Sequence, residues 1–469
     1  MQSKRTWHRG RLGSIGVGLI GACLSGCAKE PNWVAEHPTV RLTSGSEIDV
    51  SECMWKLAID GAKNRALFLP DMNAIYWLQP LPTNLPGAHF RVEGEFPKAR
   101  YISFHNYDDA GRMIDVIADD ELDPVEGSTN PFRGQAHREG VQARYALDLR
   151  DVPPSGRSSA RPHNVIYGGY KHDGKPATSN QLVYRLYLAE NQELKENAAH
   201  MPRVKYVVDD AALAPFHTKE GVCKNLPKSS IPADIVRKID AKAVAQSPEL
   251  LKNQTTGPTG FGENPPAWFV GSTPIGALLE TFPERPLFNV LQSLLPTKGK
   301  AAGFYNAHSS YISAYLNPSL GQVAAIRFRA PKFPKTEAGE MPSATDEVRY
   351  WSLCVHQMKA FIYVLECKHD SEVGVDEKGF VTFTFSAPNH RPKNADGSPY
   401  ANWLPYGSTM PYVLYRHMKV NPAYPHSPQW YKGDHPYDSK AIREHMGPDD
   451  YPTSKYCTTA EFERNHCEL

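Results

Sequence analysis

Two arginines, Arg185 and Arg416, sit inside otherwise apolar runs, Val183-Tyr184-Arg185-Leu186 and Val413-Leu414-Tyr415-Arg416. A guanidinium in such a run must find a carboxylate or several carbonyls, because an unpaired buried charge is expensive. Two kinds of chemistry follow: a clamp for the carboxylate or phosphate of a ligand, or a structural ion pair that locks the fold. The acidic partners suggested by sequence are the Asp119-Asp120-Glu121 cluster for Arg185 and Glu366 or Asp370 for Arg416. The structural pair is the commoner arrangement. A series of histidines runs through the second half, at His356, His369 and His390, then at His417, His426 and His435 in steps of nine. A metal centre needs several imidazoles or carboxylates converging with outer support. No HxH or HExxH occurs, and nine-residue spacing fits neither a strand nor a helix, so no metal is expected. No cofactor is expected either, since GxGxxG and P-loop strings are absent. A GxSxG nucleophile elbow is also missing, and the Gly-Ser-Thr strings at 127, 271 and 407 read as turns. Paired carboxylates for glycoside hydrolysis are defined only by their separation in space.

One further residue has a chemistry legible from its context. Leu24-Ser25-Gly26-Cys27 ends a short apolar segment, Ile15 to Leu24, behind Lys4, Arg5, Arg9 and Arg11. Basic start, apolar centre and small residues at the cut form a signal peptide, and the terminal cysteine resembles the bacterial lipoprotein type. Cys27 is therefore the expected lipidation site and the first residue of the mature chain. The apolar stretch is too short for an ordinary spanning helix. Ala28 lacks the acidic character of an inner-membrane retention signal. The expected location is the cell envelope, lipid-anchored and outside the cytoplasm, at the outer membrane in a Gram-negative host.

Cysteine content agrees with export. Beyond Cys23 and Cys27, six cysteines remain, at 53, 223, 354, 367, 457 and 467. An even number in an oxidising compartment points to disulfides, and no CxxC suggests zinc or redox chemistry. Cys354 and Cys367 flank a turn near Gln357–Lys359, within hairpin bridging range. Cys457 and Cys467 staple a short tail, which leaves Cys53 with Cys223.

The elements that must position these residues are read from an internal repeat. Ala74-Ile75-Tyr76, Phe96-Pro97, Arg100-Tyr101-Ile102-Ser103, Asn164-Val165-Ile166-Tyr167-Gly168 and Val183-Tyr184-Arg185 form one series. Ser313-Ala314-Tyr315, Phe333-Pro334, Arg349-Tyr350-Trp351-Ser352, Asn402-Trp403-Leu404-Pro405-Tyr406-Gly407 and Leu414-Tyr415-Arg416 repeat it in the same order. Period-two alternation over Phe90–Phe96, Tyr145–Leu149, Leu182–Leu188 and Val381–Phe385 marks strands, and Asp108-Asp109-Ala110-Gly111 marks a hairpin turn. The fold class expected is mainly β: two related jelly-roll-like antiparallel β-sandwiches joined by a mixed helical and loop segment. Helices are expected over 51–64, 231–245 and 273–282. A further helix begins at Asp438 or Ser439 and stops at Gly447, and Thr458 with Glu461 has capping-box spacing. The divisions are 1–26 signal, 27–69 tether and helix, 70–194 first sandwich, 195–300 connection, 301–422 second sandwich and 423–469 extension.

The strings Arg349-Tyr350-Trp351-Ser352-Leu353-Cys354, Asp376-Glu377-Lys378-Gly379, Asn402-Trp403-Leu404-Pro405 and Tyr415-Arg416-His417-Met418 resemble an uncharacterised family of secreted bacterial proteins with a domain of unknown function. The resemblance covers most of residues 70–450 and is stronger in the second copy. It implies a jelly-roll-like sandwich and no particular activity.

Charge excludes one partner class. With 52 Lys and Arg against 51 Asp and Glu, and no basic run after the signal, nucleic acid is not an expected partner. Forty prolines, 34 glycines and 23 tyrosines, with a mean hydropathy of −0.49, suit short strands and ordered loops. Repeated aromatics at Tyr76, Trp77, Tyr311, Tyr315, Trp351 and Trp403 offer a platform for sugars or apolar ligands. Pockets favour domain interfaces, so the expected site is the junction of the sandwiches, with Tyr315, Arg349, Trp351, Arg416 and His417 as candidates. The function expected is an anchored envelope protein binding a small molecule or glycan there. The alternative is an extracytoplasmic hydrolase using the same cleft, so enzymatic activity is left open.

Overall fold

The computed structural model describes residues 45–63, 69–133, 142–158, 160–190, 201–228, 262–271, 304–358, 362–407, 410–433 and 435–469. The signal segment, Cys27 and the helices expected over 231–245 and 273–282 lie outside the described residues. Two β-sandwiches make up the fold. The inner sheet of the first runs β2 (Leu57–Asp60), β3 (Ala74–Leu81), β9 (Asn180–Ala189), β5 (Ala99–Tyr107) and β6 (Met113–Ala118). Its outer sheet runs β1 (Ser46–Asp49), β10 (Arg203–Val208), β4 (Ala88–Glu95), β7 (Arg144–Asp151) and β8 (Val165–Gly168). In the second sandwich the inner sheet runs β11 (Trp268–Val270), β12 (Ser309–Tyr315), β18 (Pro411–Met418), β14 (Tyr350–Met358) and β15 (Ile362–His369). The outer sheet there runs β17 (Trp403–Pro405), β16 (Phe380–Ser386), β13 (Val323–Arg329) and β19 (Thr453–Cys457).

The two strand orders correspond one for one, except that β1 has no counterpart among the described residues. All pairings are antiparallel but two, β7 with β8 and β16 with β17, which occupy matching places. The sandwiches recruit strands from their flanks: β2 from the expected tether, β11 from the connection and β19 from the extension. Residues 51–63 do not form the expected helix, and residue 64 lies outside the described residues. A single 3-10 turn, Ser51–Cys53, precedes β2, whose Leu57 and Ile59 enter one apolar cluster at alternate positions. The later helix forms as expected, α2 (Ser439–Asp450), following α1 (Lys219–Lys224). Asp438 accepts the Ala441 amide at its start, and Gly447 breaks it at φ 77°. In α3 (Thr459–Asn465) Thr458 and Glu461 form the reciprocal cap.

Each sandwich has its own core. Phe90, Val92, Leu147 and Leu149 from the outer sheet meet Ile102, Phe104, Tyr184 and Leu186 from the inner sheet of the first. Ile326, Phe328 and Phe383 meet Trp351, Leu353, Val413 and Tyr415 in the second. Full burial of such side chains contributes about 1.5–3 kcal/mol each. The inner sheets then turn their second faces toward each other, so all nine residues of β5 and all eight of β18 are buried. Three disulfides join Cys53 to Cys223, Cys354 to Cys367 and Cys457 to Cys467, the pairings expected from sequence. Cys354 lies directly opposite Cys367 in the β14–β15 ladder.

Candidate functional site

The junction is built by exchange. Arg100, at the start of β5, reaches into the second copy, where Nη1 donates to Asp370 at 2.7 Å and Nε and Nη2 grip Glu337 at 2.6 and 2.8 Å. Arg349, just before β14, reaches the opposite way to Asp119 at 3.2 Å and Asp120 at 3.6 Å, and Lys419 also pairs with Asp120. Asp119 and Asp370 hold equivalent local posts, each accepting a backbone amide, Ile102 at 2.7 Å and Trp351 at 3.0 Å. Arg100 is fully buried with Asp370, so these pairs lock the sandwiches together and are costly to break. The acidic cluster at 119–121 therefore serves Arg349 rather than Arg185, and Asp370 serves Arg100 rather than Arg416. Each copy supplies the carboxylate for its twin.

Arg416 and Arg185 also correspond. Arg416 pairs across the ladders with Tyr311 and Ser352, and Arg185 pairs with Tyr76 and Ser103. That register matches Tyr76 with Tyr311, not with Tyr315. Arg416 forms an ion pair with Asp71, which is fully buried and also accepts the Tyr350 hydroxyl at 2.9 Å and the Ser352 hydroxyl at 2.6 Å. Burial alone would raise the Asp71 pKa, but Arg416, the Ser352 hydroxyl and the Asn73 amide outweigh it and hold it below the ordinary carboxylate range. Arg416 is thus a structural ion pair. Arg185 is bonded differently: Nη2 donates to the Tyr107 hydroxyl at 2.7 Å and the Phe304 carbonyl at 2.6 Å, and its guanidinium lies 5.1 Å from the centre of the Tyr76 ring.

The five nominated residues do not converge. Strand alternation sends Trp351 and His417 into the core of the second sandwich, Trp351 against Phe328 and Tyr415, and His417 against Tyr415 and the Ser427 hydroxyl. Tyr315 stacks on Phe269 and lies tilted against Tyr412 in a separate buried cluster. Tyr315 shares the sheet face of Arg416, but of the five it is Arg349 and Arg416 that bond to the first copy, and both are engaged by its carboxylates. The proposed aromatic platform is likewise packed, with Trp77 stacked on Tyr184 at 5.4 Å.

The histidines serve different local roles. Burial, reinforced by Arg416, pushes His356 down to about 3, and burial with Arg329 nearby does the same to His417. His308 falls to about 3 through burial and Lys419, and its Nδ1 meets the Tyr101 hydroxyl at 2.8 Å. His369 moves the other way: burial lowers it, but Asp370 and Glu372 outweigh burial and raise it to about 9. Asp71, Cys354 and Cys367 bring metal-ligand atom types together. The two sulfurs are bonded to each other and the carboxylate to Arg416, so this cluster is not a metal centre.

A pocket of about 410 Å³ opens in the first sandwich instead, lined by Glu121, Asp123, Arg133, Arg161, His163 and Asn164 over Ile117 and Pro162. Asp123 is buried and receives both Arg133 and the Nδ1 of His163, whose ring is 64% exposed. Arg161 reaches Asp115 and donates to the Val116 carbonyl at 2.6 Å. Asn164 clamps the wall: its Oδ1 accepts the Asp123 amide at 2.7 Å, and its Nδ2 donates to the Asp123 and Ala146 carbonyls. The matching residue of the second copy is Asn402, whose Oδ1 accepts the Gly374 amide at 3.0 Å. Gly374 therefore stands where Asp123 stands, and Ala401 where His163 stands. The structural asparagine is kept in both copies, while the aspartate and histidine belong to one. Aligning the copies on Asn164 and Asn402 exposes that difference in the sequence itself.

No protein-family model matches the chain, and no curated protein matches it. Among solved structures, it is similar to an uncharacterised protein from Burkholderia cenocepacia, at 13% identity over 75% of this chain and 74% of that one, with a TM-score of 0.37. It is also similar to the VPA0106 protein from Vibrio parahaemolyticus, at 13% identity over 84% of this chain and 91% of that one, with a TM-score of 0.38. Likenesses at this level assign no activity to the pocket.

Proposed function

We propose that this chain is a lipid-anchored, extracytoplasmic protein of the cell envelope that binds a small hydroxyl-rich molecule, such as a mono- or disaccharide, in the pocket of its first sandwich. The observation that carries this reading is copy specificity. A side chain needed only for the fold recurs in both halves, as Asn164 and Asn402 do, whereas Asp123 and His163 correspond to Gly374 and Ala401. The lining balances two guanidinium groups against two carboxylates, so a bare anion or cation would meet a like charge. Neutral hydroxyls can donate to Glu121 and accept from Arg161 at once. The volume lies within the usual range for small-ligand sites, about 300–1,000 Å³. The anchor rests on the Leu24–Cys27 string. Thermal-shift titration with a panel of mono- and disaccharides tests the reading. At least one sugar should raise the melting temperature of the wild type and lose its effect in Arg161→Met and His163→Ala. Sugars without effect, or a sugar effect that both variants retain in full, would refute it.

The Asp123–His163 pair favours one other reading. A carboxylate holding Nδ1 leaves Nε2 to take a proton from water, as a general base in hydrolysis does. Release of a chromogenic alcohol from a glycoside or ester, abolished by His163→Ala while sugar binding persists, would place the protein among hydrolases.

A further inference from the structure

The correspondence between the copies fails at one more point, beneath Arg185. Asp71 lies five residues before Tyr76, and Asn306 five before Tyr311, the two tyrosines being matched by the strand register. Both residues make the same local turn: Asp71 Oδ1 accepts the Asn73 amide at 2.9 Å, and Asn306 Oδ1 accepts the His308 amide at 2.9 Å. Two residues upstream, the Leu69 carbonyl accepts from Arg416 and the Phe304 carbonyl from Arg185. Leu69 becomes Phe304 and Asn73 becomes His308 in this frame without adding a countercharge, so the change of charge is a carboxylate for an amide. Arg416 has its countercharge, and Arg185 has none among the described residues. Arg185 is 6% exposed; its Nε, like that of Arg416, donates to nothing, but Arg416 also holds the Asp71 carboxylate at Nη1. The groups around it are hydroxyls and neutral rings. The Tyr107 hydroxyl donates a hydrogen bond to the Tyr305 carbonyl at 2.6 Å, Tyr76 meets Tyr187 at 3.2 Å, and His105 is kept neutral by burial and by Arg185 itself. An uncompensated guanidinium at this depth is a standing cost that an incoming anion removes.

We infer that Arg185 is the seat of a small carboxylate anion, bound at the junction of the two sandwiches beside the partly exposed Tyr305, in the electrostatic role that Asp71 plays for Arg416. This site is separate from the sugar pocket and uses none of its residues. Sodium formate is the probe, titrated at constant ionic strength against sodium chloride, with the melting temperature as readout. Formate should raise the melting temperature of the wild type by several degrees more than chloride does. Asn306→Asp, which restores the missing carboxylate, should melt higher than wild type without formate and lose the formate response. Asp71→Asn removes the carboxylate from the other half and should gain a formate response beyond that of the wild type. Formate and chloride acting equally, or a formate response that Asn306→Asp leaves intact, would overturn the assignment. Should Asn306→Asp fail to fold, an Asp71→Asn variant with only the wild-type response would overturn it as well.

Discussion

Replacing Arg416 by methionine removes one half of a fully enclosed ion pair while keeping much of the side-chain volume. Arg416 is 2% exposed and Asp71 not at all, so water cannot stand in for the lost guanidinium. The carboxylate keeps the Tyr350 and Ser352 hydroxyls and the Asn73 amide, which soften the loss without cancelling the charge. Breaking a buried pair from one side costs about 3–5 kcal/mol. At about 2–4 °C per kcal/mol for domains of this size, the melting temperature should fall by roughly 6–20 °C. The penalty carries a pH signature. In the wild type Asp71 is held below the ordinary carboxylate range, so the pair contributes its full stability above the unfolded value of 3.8 and loses it as pH falls through the lower folded value. Without Arg416, burial dominates and Asp71 takes up a proton more readily, so the variant's deficit should shrink as pH drops from 7 toward 4. The double variant Asp71→Asn/Arg416→Met should recover part of the loss, giving a coupling energy of about 2 kcal/mol or more in a denaturant-based cycle. A deficit of under about 1 kcal/mol, the value of a solvated surface pair, would refute the reasoning.

Three further outcomes follow from the same structure. His369 is raised from 6.5 to about 9, so its contribution is complete below pH 6.5 and is lost as pH rises through about 9. It amounts to on the order of 3 kcal/mol, and His369→Gln should flatten stability over that window; an unchanged slope would contradict the pairing with Asp370 and Glu372. The Cys53–Cys223 bridge spans 170 residues of sequence, so removing it as a Cys53→Ala/Cys223→Ala pair should destabilise by up to about 4–5 kcal/mol in the loop-closure limit, measured by denaturation under non-reducing conditions. Cys27→Ala should move the protein from the membrane to the soluble fraction, and equal partitioning of variant and wild type would dismiss the anchor.

Much of the fold was legible because alternation marks a strand wherever one face is apolar, as along Phe90, Val92 and Phe96. What alternation does not reveal is what the polar face meets. Tyr101 and Ser103 read like residues turned to water, yet they are buried against the second copy. Arg416 finds Asp71 across 345 residues of sequence, a separation at which spacing carries no information, so carboxylates nearer in the chain were the natural but mistaken partners. The repeat itself was clear from Arg100 and Arg349, but its register needed the ladders, which move the match for Tyr76 from Tyr315 to Tyr311. Residues 51–64 show the converse error. Their composition suits a helix, but pairing of Leu57–Asp60 with β3 satisfies the backbone more fully, and tertiary context overrides local propensity. The pocket was missed because its signal is a difference between the copies, and a search for repeated residues passes over differences.

The most direct test of the account is crystallographic: crystals of the protein soaked with a mixture of small sugars and other polar fragments. The prediction is ordered density in the first sandwich, with ligand hydroxyls in contact with Arg161, His163 and Glu121, and nothing at the matching place beside Gly374 and Ala401. Fragments that bind equally at both places, or that leave the Asp123–His163 pocket empty while occupying other surfaces, would contradict it.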